Sequence, residues 1–303
     1  MKNQSSTPFL HIVAFVANRE KERLLSIVFI IIYLFGVLIN SVILTAIYKD
    51  VKLHTNMYIF LCNLSLVDIC YLTVTLPKLI YILLSGDNSI TFIQCFTQMY
   101  FYLAFGGVET LLLSTMAYDR FVAICKPLVY YLMMNRRVCT LITAGVWILA
   151  FGNAIFFTGL ASNLPFCHSN KINQLFCDVK ALADISCDVI MFYKIIYVEA
   201  FLFGTVPVSL TVVSYARIIS SILHIRCKRG RNKAFSTCSS HFTVLIVFYG
   251  TALLMYMRPP THSENLDTVF SLFFIVVTPM LNPLIYTLRN KDVKKSLIRT
   301  MRL

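Results

Sequence analysis

Met116-Ala117-Tyr118-Asp119-Arg120-Phe121-Val122-Ala123-Ile124-Cys125 closes a long apolar run with an acid and a base side by side. A charged side chain at a bilayer centre costs about 2.5–3.5 kcal/mol on insertion scales. At the end of a spanning helix the same two groups can satisfy each other and meet water. Two readings stay open: a latch, in which Asp119 holds Arg120 in one state and frees it in another, or a pair that only fixes helix depth. Both need a membrane-crossing helix upstream, so the rest of the chain decides the fold.

The chain has 303 residues, 58% of them hydrophobic and 14% charged, where a soluble domain is roughly 45–50% apolar and 25% charged. The excess is a membrane signal and leaves no room for a separate soluble domain. A net charge of +13 would elsewhere suggest nucleic acid. Here the basic residues cluster between apolar runs, which points to membrane orientation instead. No nucleic-acid motif, Gly-rich phosphate loop, G-x-S-x-G or H-E-x-x-H string occurs, so neither nucleic-acid binding nor an enzyme is expected. The apolar run 8–17 is short and broken by His11, so no cleavable signal peptide is expected.

Seven stretches can cross a bilayer, near 24–48, 57–80, 95–118, 138–160, 192–216, 237–257 and 267–288. They are continuous rather than alternating, which favours helices over a barrel. The fold class is therefore an all-α membrane protein, a seven-transmembrane helix bundle in one domain. Residues 1–23 form its outer tail and 289–303 its inner one. Lys and Arg are about half as frequent in the segments that an outside N-terminus leaves outside, so the C-terminus is expected in the cytoplasm. Asn3-Gln4-Ser5 is a glycosylation sequon on the outer side, with Asn3 as the acceptor. The tail 290–302 alternates basic and apolar residues and suits a short amphipathic helix on the inner leaflet.

Polar residues inside the spans carry the functional signal. At 100° per residue Tyr102, Gly106, Glu109, Leu113, Met116 and Arg120 share one stripe of span three, which should face the bundle. Asp68 and Glu109, with Asn40 and Asn282, are expected to form one polar core. Two nearby carboxyls require a shared cation or a proton; a purely structural hydrogen-bond cluster is the alternative. Glu199 reads as a ligand partner or as an acid snorkelling to the interface. Pro207 should kink span five. Pro279 and Pro283 weaken span seven as a hinge or a static kink, leaving carbonyls for Asn282 to satisfy. Gly106-Gly107 either leaves ligand volume or allows close helix packing. Tyr249, Ala252 and Tyr256 repeat on what should be a pocket face. Cys95, Cys167, Cys177 and Cys187 fall on the outer side, where three pairings are open. The other six cysteines are expected as free thiols, and no structural metal site is expected.

The opening decapeptide closely resembles the signature of the olfactory receptors, within the rhodopsin-like G-protein-coupled receptors. Lys233-Ala234-Phe235-Ser236-Thr237-Cys238-Ser239-Ser240-His241, Phe248-Tyr249-Gly250, Ser214-Tyr215 and the run from Pro279 to Asn290 resemble further motifs of that family, in order. Leu53-His54-Thr55-Asn56-Met57-Tyr58 resembles its first inner loop but has Asn56 where the family usually has proline. Ile39 stands where a glycine usually precedes Asn40.

The resemblance implies disulfides Cys95–Cys177 and Cys167–Cys187, and a sodium ion near Asp68 and Glu109; no other cofactor is expected. It implies activation and coupling roles for Asp119, Arg120, Tyr215, His241, Tyr249 and Tyr286, with Tyr215 meeting the freed Arg120. It further implies an odorant receptor of a sensory-neuron plasma membrane that couples to the stimulatory olfactory G protein and raises cyclic AMP. By helical phase, Tyr102, Leu103, Gly106, Glu199, Phe203, Ala252 and Tyr256 are the candidate contacts for a small lipophilic odorant. The alternatives are a receptor for a small amine, suggested by Glu199, and a cation or proton transporter using Asp68 and Glu109.

Overall fold

The computed structural model describes residues 9–13, 18–53, 55–166, 170–183, 185–224, 227–256 and 269–289. The sequon at Asn3 and the tail 290–302 lie outside them.

Seven long helical segments form a bundle: α1 (Arg19–Lys49), α2 (Asn56–Ser85), α3 (Phe92–Cys125), α4 (Arg136–Ser162), α5 (Val189–Glu199 continuing through Val206–Leu223), α6 (Lys228–Tyr256) and α7 (269–272 continuing through Thr278–Arg289). Their ends follow local chemistry. Thr91 and Gln94 close a reciprocal capping box on α3. Asn135 and Asp188 cap α4 and α5 through the amides of Val138 and Met191. Gly86 ends α2 at φ 74°, a left-handed conformation that favours glycine. The helices overrun the expected spans: α1 begins at Arg19, α3 continues to Cys125 and α6 begins at Lys228. At 1.5 Å per residue α3 is about 51 Å long, well beyond a ~30 Å hydrocarbon core.

The seven segments are not equally apolar. α1, α2, α4 and the stretch Ile190–Leu223 are long and apolar enough to cross a membrane by composition; 241–253 and 269–283 supply shorter apolar stretches. α3 does not qualify, because it lies inside the others. It contacts α2, α4 and α5, and it buries Gln98, Glu109, Ser114 and Asp119 among apolar neighbours. α1 and α4 instead turn Leu24, Ile31, Leu34, Ile148 and Phe156 outward, as a lipid-facing surface requires.

Two helices widen just before a proline. α5 carries a π-helical turn over Ala200–Thr205 ahead of Pro207, and α7 one over Phe273–Val277 ahead of Pro279. A proline has no N–H and its ring crowds the carbonyl four residues back, so the ladder must loosen there.

β1 (Phe9–Ile12) pairs antiparallel with β2 (Ser89–Thr91) and parallel with β3 (Lys171–Ile172), so the N-terminal segment is the middle strand of a small sheet. Leu10 and Ile12 point inward and are fully covered. His11 hydrogen-bonds Asn88 at 3.1 Å. Four residues give no reliable period, so the strand is not legible in the sequence.

Candidate functional site

Cys95 at the start of α3 is disulfide-bonded to Cys177, fixing the long loop over this end of the bundle. Gln98, one turn on, receives the Cys177 amide at 2.9 Å and donates to the Val74 carbonyl at 2.9 Å. Cys187 is also disulfide-bonded; Cys167, its expected partner, lies outside the described residues. Cys62, Cys70, Cys125, Cys139, Cys227 and Cys238 are free.

Below this loop the α3 stripe faces inward. The Tyr102 ring lies tilted 4.7 Å from Phe176 of the loop and 5.2 Å from Tyr71 of α2. The ring contacts continue from Tyr71 to Phe274 of α7 and on to Phe248 of α6. Leu103 is buried beside them. The two glycines differ. A Cβ on Gly107 would meet the Cβ of Ala150 at 3.2 Å and a ring carbon of Phe203 at 3.5 Å, so Gly107 lets helices approach. A Cβ on Gly106 would meet only Tyr71, at 3.8 Å, so Gly106 keeps space open. Glu199 is half-buried on the α5 face that carries Phe192 and Phe203, with Asn153 and Asp178 in its electrostatic surroundings. Ala252 is half-buried against the core. The side chain of Tyr256 lies outside the described residues.

At mid-depth one amide joins the two acids. Asn282 Nδ2 donates to Asp68 Oδ1 at 3.2 Å and to Glu109 Oε1 at 2.9 Å, all three groups being buried. Asn40 is turned to the backbone instead, donating to the carbonyls of Gly36 at 3.0 Å and Pro279 at 3.2 Å. The Pro279 carbonyl is the one that Pro283, lacking N–H, cannot satisfy. This corrects the expectation that Asn282 would serve the carbonyls freed in α7: Asn40 does so, and Asn282 serves the acids. Among the described residues Asp68 Oδ2 and Asn40 Oδ1 have no hydrogen-bond partner.

Tyr249 points into the bundle. Its hydroxyl lies 3.2 Å from that of Ser114 and 3.4 Å from that of Thr211, while Ser114 donates to the Pro207 carbonyl at 2.8 Å. This hub ties α3, α5 and α6 together beside the α5 irregularity. Ser114 and Thr211 were not singled out from sequence. Both are hydroxyls on inward faces, and such residues also bond their own helix, so composition alone does not separate the two uses.

At the far end Arg120 Nε lies 3.9 Å from Asp119 Oδ2, with Asp119 buried. The hydroxyl of Tyr130, from the turn after α3, donates to Asp119 Oδ1 at 3.0 Å. Burial, and then the Asp119 charge, push the Tyr130 phenol above its ordinary pKa, so it remains a donor. The expected meeting of Tyr215 with Arg120 is not made here. Tyr215 is hydrogen-bonded to His241 Nδ1 at 2.7 Å. The Asp119–Arg120 pair occupies Arg120, and His241 occupies Tyr215. Asn56 donates to the Met134 carbonyl, tying α2 to the turn between α3 and α4. A proline there, as the resemblance expected, could not make that bond. The side chain of Tyr286 lies outside the described residues.

Three comparisons bear on this architecture. A family model described as olfactory receptor matches residues 29–302. Olfactory receptor 1C1 of Homo sapiens is 41% identical over 93% of this chain and 90% of its own length. Olfactory receptor 1A1 of Pan troglodytes is 42% identical over 97% and 96%. Olfactory receptor 1E16 of Mus musculus is 44% identical over 92% and 90%. In three dimensions the chain is similar to squid rhodopsin, with a TM-score of 0.73, 16% identity, and coverage of 94% of this chain and 87% of the other.

Proposed function

The chain belongs to the olfactory receptor family, multi-pass signalling receptors rather than enzymes, and from that premise we propose that it binds a small lipophilic odorant at the disulfide end and activates a stimulatory heterotrimeric G protein, raising cyclic AMP. The N-terminus and disulfide are then extracellular, Asn3 carries a glycan, and the Arg120 end is cytoplasmic. Family membership removes the ground for the transporter alternative.

The observation that carries this reading is the closed Asp119–Arg120 pair at one end of a helix whose other end lies under a disulfide-anchored loop. Between them run the Tyr102–Tyr71–Phe274–Phe248 ring contacts, the Asp68–Asn282–Glu109 core and the Ser114 hub. A ligand acts by binding the open-latch state more tightly than the closed one, which shifts the population toward it. Leu103, Gly106 and Phe203 give it an apolar wall, with Tyr102 and Ala252 beside them.

The buried acids suit a monovalent cation or one shared proton. Two ionised carboxyls without compensation are unfavourable in a low-dielectric core, and Asp68 Oδ2 retains lone pairs for the guest. A sodium ion would sit against Asp68 and Glu109 and favour the arrangement in which Asn282 bridges them. A second reading, an amine ligand, is favoured by one observation: Glu199 has Asp178 and Asn153 in its electrostatic surroundings. A ligand-panel screen in cells reporting cyclic AMP tests the main reading. Agonists should raise cyclic AMP in the parent and not in Arg120→Ala at equal surface level; a full response from Arg120→Ala would defeat the latch.

A further inference from the structure

A groove outside the bundle core opens between α3 and α5 at the Arg120 end, with a cavity volume of about 630 Å³. Its walls change character along their length. Toward the bundle middle they are Tyr118 and Phe121 of α3 and Leu210 and Val213 of α5. Toward the helix ends they are Lys126, Arg217, Ser220 and Ser221. The α5 residues recur at three- and four-residue steps, which puts them on one helix face. We propose that this groove is a binding site for one anionic phospholipid of the inner leaflet.

Depth, charge and shape support the assignment. From Leu210 to Ser221 the helix rises about 16 Å, close to one leaflet's share of a ~30 Å hydrocarbon core. An acyl chain would therefore lie along Leu210 and Val213 while the headgroup meets Lys126 and Arg217. Leu210 and Val213 are each about 60% exposed, so the apolar part is open to lipid rather than filled by protein. The lining holds two cations and, among the described residues, no acid. Neither Lys126 nor Arg217 is in an ion pair among the described residues, and the Ser220 and Ser221 hydroxyls have no hydrogen-bond partner there. Two cations and two hydroxyls match a phosphate ester, and a guanidinium can grip it with two parallel bonds. Choline of a zwitterionic lipid would instead meet like charge. Basic pockets between helices on the cytoplasmic side are the general form of such sites.

The groove is a neighbour of the latch and not part of it. Ser214 closes its back, and the next residue, Tyr215, faces His241. Cys125 Sγ reaches the Arg217 carbonyl at 3.6 Å, joining the two walls. Simple snorkelling would put both cations in the headgroup layer without any groove. The test must therefore separate a built site from diffuse surface charge.

Naming the inner leaflet rests on the proposed orientation; the binding itself does not. Purified receptor in nanodiscs of phosphatidylcholine doped with phosphatidylserine, the same in both leaflets, is examined by native mass spectrometry for retained lipid. We expect one phosphatidylserine per receptor, enriched about fivefold or more over its bulk fraction. Lys126→Gln with Arg217→Gln should return retention to the bulk ratio. Val213→Trp, which fills the apolar part without changing charge, should do the same, and Leu210→Trp repeats that arm if Val213→Trp does not fold. Lys49→Gln, a basic change in the last turn of α1, should leave retention unchanged. Retention that survives the tryptophan variants, or that falls equally in Lys49→Gln, would overturn the site. An antibody-accessible C-terminal tag on intact cells would overturn the orientation alone.

Discussion

α1 and α3 are nearly the same length, 31 and 34 residues, and they solve opposite problems. α1 turns Leu24, Ile27, Ile31, Leu34 and Leu38 outward and buries little besides one stripe with Gly36 and Asn40. α3 is covered on most sides and can hold Gln98, Glu109, Ser114 and Asp119. Hydropathy therefore detects the helix that faces lipid, and underrates the one that carries the chemistry. What α3 needs is not apolarity but partners for each polar group.

The largest expected effect comes from exchanging the two environments. Leu34, at the middle of α1, is 60% exposed to what should be lipid. Leu34→Asp should cost about 2.5–3.5 kcal/mol of insertion and strip most receptor from the cell surface. Glu109→Gln, an acid-to-amide change at the middle of α3, should keep its surface level, because the Asn282 amide can still donate to the new carbonyl. Flow cytometry of tagged receptor measures both. Equal surface levels for parent and Leu34→Asp would mean that this face of α1 is covered by a partner instead of lipid.

A smaller effect separates adjacent residues within α3. Gly107→Leu must push Ala150 and Phe203 aside, and overpacking of that kind typically costs about 1–3 kcal/mol. Gly106→Ala meets only ordinary contact with Tyr71, and helix propensity favours alanine over glycine by about 1 kcal/mol. The purified Gly107→Leu protein should therefore melt below the parent, and Gly106→Ala at or above it, with a preference for smaller odorants. Similar losses in both would show that the Gly106 side has no spare room.

Periodicity and composition made the bundle and its inward stripe legible, because a 3.6-residue repeat survives whatever the neighbours are. The polar core was legible too, since Asp68, Glu109 and Asn282 are conspicuous in apolar helices. The wiring was not. Asn40 serves the Pro279 carbonyl, 239 residues further on, and sequence spacing carries no such proximity. The Ser114 hub and the Gln98 bridge likewise join residues far apart in the chain. The β1 strand was missed because its partners, β2 and β3, are loop segments without an alternating pattern long enough to read.

The smallest effect tests the latch itself. Asp119 has two partners, Arg120 at 3.9 Å and the Tyr130 hydroxyl at 3.0 Å, and the second is the shorter. Removing a hydrogen bond to a charged acceptor costs about 1.5–3 kcal/mol, less where the inner turn admits water. Tyr130→Phe keeps the ring and deletes only that bond, so it should loosen the closed state without harming the fold. A loss of about 1.4 kcal/mol would change the closed-to-open ratio about tenfold, so basal cyclic AMP should rise severalfold. Because the Tyr130 phenol lies above its ordinary pKa, it stays protonated at physiological pH and the difference between parent and variant should not vary between about pH 6 and 8. Asp119→Asn should raise basal signalling at least as far, since it weakens both contacts. If Asp119→Asn raises it and Tyr130→Phe does not, Tyr130 packs against the latch without holding it, and Asp119 depends on Arg120 alone.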